Sequence, residues 1–236
     1  MSMSNTHNYI SNLINQYFGD KKITVVDYGC GNGFFIDYLN INNIIRYTGY
    51  EVSKDCLVIA NKKYKNKKIN FKKIEKKMVP NLGKKNSIDL IILIGVIQYM
   101  TNSELNHFFK EVNKVLKKNG IIIFSCAVDH LIYKIFNIYQ FLTPNQYINR
   151  KRIIKKMKHF DLIPKLQVEK GLFIAPIFSN IFSIFFDAFD RIFLGSRGKI
   201  GPFGLLVRRI INPLIWLEHQ LPFDYGYTLY IVGKKK

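Results

Sequence analysis

The sequence predicts an α/β fold in which a doubly wound, mostly parallel sheet carries helices on both faces, with a hydrophobic helical insertion before its last strand. Three observations predict it. Short apolar runs alternate with helix-period stretches between residues 23 and 126, the rhythm of successive strand–helix units. Runs such as Leu90-Ile91-Ile92-Leu93-Ile94 have no polar face to offer water, as suits parallel strands buried on both sides. The glycines Gly29, Gly31 and Gly33 stand between the first run and the stretch that follows it. At 236 residues and 48% hydrophobic, the chain can bury one sizeable core but not two large ones. The expected organisation is one domain: an N-terminal helix within 1–20, a sheet core from 21–170 and 223–236, and a helical cap, 171–222.

In chain order, Asn8 to Phe18 places Ile10, Leu13, Ile14, Tyr17 and Phe18 on one helical stripe. Ile23 to Tyr28 reads as the first strand and Phe34 to Leu39 as the helix after the glycine turn. Strands are then expected at Tyr47–Val52, Ile69–Ile74, Asp89–Ile94 and Gly120–Cys126, with helices at Asp55–Tyr64 and Ser103–Leu116. Thr143 and Pro144 fit the N-cap and first position of a helix running from Asn145 to Phe160. Lys165–Val168 and Tyr225–Val232 complete seven strands, the latter followed by a three-lysine tail.

Lys and Arg outnumber Asp and Glu by 36 to 16, a net charge of +20. That balance invites an anionic partner. Lysine, asparagine, isoleucine, phenylalanine and tyrosine are all abundant, however, the bias of an AT-rich genome, and much of the lysine then reads as solvated surface. Lys62 to Lys77 falls at a helix end and a sheet edge, so an RNA track is disfavoured there. Cys30, Cys56 and Cys126 have no metal-ligand or disulfide spacing, in keeping with a reducing cytoplasm and no bound metal. Met1 to Tyr9 lacks the pattern of a secretory signal.

The chemistry hangs on Val25-Val26-Asp27-Tyr28-Gly29-Cys30-Gly31-Asn32-Gly33. Glycine allows positive φ and lets backbone amides lie against a ligand. A dinucleotide site has G-x-G-x-x-G, with a helix N-terminus for pyrophosphate. This chain has G-x-G-x-G with Asp27 two places before it, where a carboxylate repels phosphate and supports a cation. Here the sequence resembles the class I S-adenosylmethionine-dependent methyltransferases, whose first motif is an acid followed by x-G-x-G-x-G. Glu51 matches the family's second-strand acid, which holds the ribose hydroxyls, with Val52 after it. Glu75 matches, more weakly, the acid near the adenine amino group. Ser87 to Met100, including Ile94 and Gly95, resembles the fourth strand and its exit, and Val115 to Phe124 the approach to the fifth. The resemblance spans residues 20 to 130 in order, plus the final strand. It implies a Rossmann-like seven-stranded sheet and S-adenosyl-L-methionine held by Asp27, Tyr28, Gly29, Cys30, Gly31, Gly33, Glu51, Val52, Glu75, Ile94 and Gly95. The competing reading is that the glycines only make a tight turn while Asp27 and Glu51 cap nearby backbone.

Reactions in open α/β sheets occur outside the carboxyl ends of the strands, which puts Gly95–Tyr99 and Ala127–His130 on the reacting side. His130 is the candidate base and Asp129 the carboxylate that could orient it; His219 is second choice, while His107 and His159 read as structural. The family's Asn/Asp-Pro-Pro-Tyr/Phe motif for base amines is absent after the fourth strand, as is a carboxylate cluster for magnesium. Metal-free O-methylation of a small molecule is expected, with N- or C-methylation, an RNA methyltransferase and a noncatalytic membrane- or partner-binding module as the alternatives.

Leu172 to Phe186 is too short and too interrupted to span a bilayer. Phe203 to Leu217 sets Arg208 and Arg209 among Leu205, Leu206, Ile210, Ile211, Leu214, Ile215 and Trp216, and six of the seven arginines lie between Arg150 and Arg209. A lid, a homodimer interface and peripheral contact with an anionic membrane all remain open for this segment. An apolar cap favours a hydrophobic, lipid-linked or saccharide small-molecule substrate.

Overall fold

The computed structural model describes residues 3–130, 147–171, 202–221 and 223–236. One seven-stranded sheet organises the chain, in the order β3-β2-β1-β4-β5-β7-β6. Its strands are β1 Ile23–Tyr28, β2 Ile44–Glu51, β3 Ile69–Lys73, β4 Ile88–Ile94, β5 Leu116–Ala127, β6 Leu162–Lys170 and β7 Thr228–Lys235. β1 pairs in parallel with β2 and β4, β2 with β3, and β4 with β5. β7 is antiparallel to both β5 and β6. The chain therefore leaves β1 in one direction to build β2 and β3 and in the other to build β4 onward. That places a crevice at the carboxyl ends of β1 and β4.

The helices α1 Met3–Phe18, α2 Lys54–Lys63, α3 Asn102–Val115, α4 Arg150–His159 and α5 Pro202–Gln220 accompany the sheet. One cluster gathers Phe108, Phe109 and Val112 of α3 with Ile91, Leu93, Ile122 and Phe124; the other gathers Ile10, Leu13 and Ile14 of α1 with Val25, Leu90, Ile92 and Tyr230. The alternate residues of β4 and β5 thus divide between two faces, as a strand's period of two requires. α3 has a complete capping box, Thr101 with Glu104, which ends the exit loop of β4 at a fixed place.

Several boundaries differ from the expectation, each for a physical reason. α1 begins at Met3 rather than Asn8, because Asn5, Thr6 and His7 are buried by tertiary contacts that a sequence stripe does not show. The segment after the glycine turn is a 3-10 helix, Phe34–Tyr38. The helix expected from Asn145 starts at Arg150, where the Asn149 side chain accepts from the Arg152 amide; Thr143 and Pro144 lie outside the described residues. β6 starts at Leu162 and includes Pro164, which an edge strand tolerates because an outward position needs no donor. Tyr225–Tyr227 is not strand, and β7 runs on through Lys234 and Lys235: the Lys235 ammonium donates to the Leu116 carbonyl at 2.8 Å, so this lysine is no free tail. Of the expected cap, 172–201 and 222 lie outside the described residues. No described helix is long and apolar enough to cross a membrane.

Candidate active site

Asp27, the last residue but one of β1, is buried, and the chain then turns sharply through Gly29, Gly31 and Gly33, whose φ values are 81°, 54° and 79°. The turn is tied to the neighbouring strand: the amides of Gly29 and Cys30 donate to the Tyr50 carbonyl at 2.7 and 3.0 Å. A Cβ on Gly29 would stand 2.3 Å from Val96 Cγ2, so glycine there admits the loop after β4. A Cβ on Gly33 would stand 2.9 Å from the Tyr64 ring. Gly31 and Gly95, at φ 54° and 68°, would meet nothing within 4 Å, so their backbone faces open space.

Tyr47, Gly49 and Glu51 share one face of β2. The Tyr47 hydroxyl donates to Asp27 Oδ2 at 2.5 Å. Gly49 leaves room for Cys30, whose Sγ would be 2.6 Å from an added Cβ. Glu51 binds its own surroundings: Oε2 accepts from Gly31 N–H, and Oε1 from those of Val52 and Ser53, all at 2.9 Å. A carboxylate has about four acceptor positions, so three are filled and about one, on Oε2, stays available. The capping reading of Glu51 therefore describes a real contact, and that contact leaves Oε2 with capacity.

Burial pushes the Asp27 carboxyl up to about 7, with the charge of Glu51 adding and the Tyr47 hydroxyl opposing. Burial also raises the Cys30 thiol, assisted by Asp27 and Glu51, so Cys30 is a neutral wall and not a nucleophile. Tyr28 is pushed up to about 12, by burial first and then by Glu104.

These residues border two adjoining cavities. One, of about 560 Å³, is lined by Tyr28, Gly29, Glu51, Val52, Glu75 and Gly95, among others. The second, about 110 Å³, lies among His7, Asp27, Gly29, Cys30, Gly31 and Phe35. Gly29 and Ile94 line both. The structure thus brings together ten of the eleven residues expected at the cofactor on the cavity walls, while Gly33 supports the turn behind them. Glu75 is the outlying member, its side chain 69% exposed and paired with Lys73 at 3.4 Å.

Residues 26–124 match the family model described as a methyltransferase domain. This segment runs from the last turns of β1 through the glycine loop and Glu51 to β5. This segment is similar to a methyltransferase domain. Among curated proteins no relative matches. Solved structures share the fold of the chain at low identity. One is a putative sarcosine dimethylglycine methyltransferase from Galdieria sulphuraria, 12% identical, covering 98% of this chain and 85% of the other, TM-score 0.68. Another is geranyl diphosphate C-methyltransferase from Streptomyces coelicolor A3(2), in complex with Mg2+, geranyl-S-thiolodiphosphate and S-adenosyl-L-homocysteine, 12% identical over 97% and 76%, TM-score 0.63. The [4+2]-cyclase SpnF aligns at 17% identity over 97% and 80%, TM-score 0.61. The site fits S-adenosylmethionine, the cofactor that the resemblance implies, on two counts: glycine backbone opens onto the cavities at Gly31 and Gly95, and an acid with spare acceptor capacity ends β2.

His130, past the end of β5, meets Glu169 of β6, with Nε2 2.8 Å from Oε2. Glu169 is buried; Arg150 lies 3.5 Å from its other oxygen and itself pairs with Asp224 at 2.9 Å. The His130 ring stacks on Tyr225 at 4.5 Å between centroids. Asp129 points elsewhere, lining a pocket with Asn102, Tyr147 and Arg152. Glu169 is the carboxylate that meets His130 Nε2. His107 is exposed on α3. His219 is buried near Tyr230. Sequence reasoning missed Tyr47, Gly49, His7 and Glu169. The period-two spacing of Tyr47, Gly49 and Glu51 was a usable signal for the first two; nothing local announces Glu169, 39 residues from the histidine it meets.

Proposed function

We propose that this methyltransferase transfers a methyl group to an oxygen of a hydrophobic small molecule, with His130 as the base. The observation that carries the reading is the buried Glu169 bonded to His130 Nε2. A carboxylate on one ring nitrogen orients the imidazole and supports the charge it gains on taking a hydroxyl proton. Glu169 in turn is held by Arg150 and by the Gly226 amide, so the pair is positioned from three elements of the chain.

Asp27, Tyr28, Gly29, Cys30, Gly31, Gly33, Glu51, Val52, Glu75, Ile94 and Gly95 are assigned to the cofactor. In this assignment Asp27 faces the cationic amino end, Gly31 and Gly95 supply open backbone, and Glu51 Oε2 accepts one ribose hydroxyl. Val52 and Glu75 border the base. Bound S-adenosylmethionine supplies a methyl already electrophilic through its sulfonium, so the protein's work is alignment and exclusion of water. Gln98 assists by accepting from the Ala127 amide at 3.1 Å, which ties the exit of β4 to the end of β5 where His130 begins. A hydrophobic acceptor suits α5, whose Leu206, Ile210, Leu214 and Trp216 are all exposed.

Incubation with methyl-labelled S-adenosylmethionine and fractionated cell extract tests the reading. Label in an organic-soluble small molecule, stable to mild base as an ether is, supports it. Label in RNA or protein overturns it.

A further inference from the structure

Past the carboxyl ends of β4 and β5 lies a further cavity, of about 100 Å³. Met100, Leu105 and Ile153 give it apolar walls, and Asp129, Arg152 and Lys156 are its charged groups. Backbone bonds fix its frame. The Asp129 amide donates to the Ile148 carbonyl at 3.1 Å and the Ile148 amide to that of Ala127 at 3.0 Å, which lays the approach to α4 along the end of β5. Asn149 then caps α4, and Arg152 and Lys156, four residues apart, stand on one face of it. Met100, which is buried, lines both this cavity and the cofactor cavity of about 560 Å³, so the two adjoin at that side chain. Asp129 immediately precedes His130, so the cavity lies one residue from the candidate base.

The charge on these walls is unbalanced. Lys156 Nζ donates to Asn106 Oδ1 at 2.6 Å and to the Asn102 carbonyl at 3.4 Å, both neutral acceptors, and an ammonium has a third proton to give. The Arg152 guanidinium has no hydrogen bond or ion pair among the described residues; only its backbone amide is bonded by the Asn149 side chain. The two cations oppose each other. Lys156 holds its proton less tightly than usual, through burial first and the charge of Arg152 second. Asp129 is the single acid on the walls, against two cations.

This inventory selects the ligand. A carboxylate or a phosphate accepts from a guanidinium fork and from an ammonium together, with the strength of charge-assisted hydrogen bonds. A neutral group would leave the like charges unrelieved, and a cation would add a third. Size sets how much of a molecule enters. Whole drug-sized ligands fill about 300–1,000 Å³, so this cavity takes one end of an acceptor, with an apolar stem passing Met100 toward the cofactor.

We propose that the cavity between the exit of β4 and the start of α4 is a recognition subsite for an acid group, carboxylate or phosphate, of the acceptor substrate, held by Arg152 and Lys156. This rests on the reading that a small molecule accepts the methyl group, and it adds that the molecule carries an acid. The role of both residues is binding, not proton transfer. Arginine-labelled full-length protein tests it by NMR, with Arg152→Gln identifying the Arg152 side-chain signal. Benzoate, phenyl phosphate and the uncharged benzamide are the probes, each titrated at about 0.15 M salt, where diffuse surface attraction is screened. The expected result is a saturable shift of the Arg152 signal with benzoate or phenyl phosphate, the stronger naming the acid group, and a response to benzamide at least about tenfold weaker. Lys156→Gln should weaken acid binding at least about tenfold, Lys156→Arg should keep it, and Lys155→Gln, outside the cavity, should leave it unchanged. Arg152→Gln removes only an exposed side chain and should abolish saturation transfer to the bound probe, which keeps the test decisive if Lys156→Gln does not fold. Equal responses to benzoate and benzamide, no response to either acid, or equal weakening by Lys155→Gln and Lys156→Gln would overturn the subsite. Methyl label entering an organic-soluble molecule without an acid group would overturn the subsite and leave the proposed reaction standing. Saturable acid binding at Arg152 with label in RNA or protein would leave the anion site standing and overturn the small-molecule reading.

Discussion

Asp27 offers a quantitative handle on cofactor binding, because its carboxyl is held so far from its ordinary range. The rise from 3.8 to about 7 in the folded protein corresponds to about 4 kcal/mol. The folded state binds this proton more tightly than the unfolded chain, so the stabilising effect is full below about pH 4 and is lost as pH rises to 7. If the ammonium end of the cofactor sits against Asp27, binding favours the ionised carboxylate and expels the proton. At pH 6 a group with a pKa of about 7 is about 0.9 protonated, so binding S-adenosyl-L-homocysteine is expected to release up to about 0.9 proton. At pH 8 the release falls to about 0.1. Calorimetry at pH 6 in two buffers of different ionisation enthalpy measures this directly, and Asp27→Asn is expected to abolish the difference. Asp27→Asn should also flatten the fall in melting temperature between pH 4 and 7, since its amide oxygen can still accept from Tyr47. Identical heats in both buffers with the unmodified protein would refute the placement of the amino end at Asp27.

Three further outcomes follow from the same geometry. Gly29→Ala should destabilise the fold by about 1–3 kcal/mol, from positive φ and from the clash with Val96; urea unfolding should show partial recovery in Gly29→Ala with Val96→Ala, and no recovery would mean that the clash is not the cause. Glu51→Ala should lower affinity for S-adenosyl-L-homocysteine by about 1.5–3 kcal/mol and also lower the melting temperature, since the amides of Gly31, Val52 and Ser53 lose their acceptor; an unchanged affinity would show that Glu51 serves only the loop. His130→Gln should slow label transfer by about 10²–10⁴-fold with S-adenosyl-L-homocysteine affinity unchanged, while His107→Gln on exposed α3 should leave transfer intact; equal rates in the two variants would remove His130 from the reaction.

What the sequence makes legible is what is encoded locally. Ile23–Tyr28, the glycine turn and Glu51 are read from a contiguous apolar run, the need for positive φ, and an acid at a strand end, and the structure sets all of them around two cavities. The errors fall where distant parts of the chain decide. α1 extends back to Met3 because its first turn is buried against Tyr230 and Phe35, contacts made across more than 200 and nearly 30 residues. Lys235 reads as tail until β6 pairs with it and its ammonium reaches the Leu116 carbonyl of β5. The place of His130 after a strand is legible, but its contact with Glu169 is not, since pairing β6 with β7 is what swings Glu169 to it.

The central claim is that the crevice at the ends of β1 and β4 holds S-adenosylmethionine, and titration calorimetry with S-adenosyl-L-homocysteine, with NAD run in parallel, tests it most directly. The account expects one-to-one binding of S-adenosyl-L-homocysteine and no heat with NAD, because Asp27 stands where a pyrophosphate would have to approach the glycine turn. Measurable NAD binding with none of S-adenosyl-L-homocysteine would contradict it.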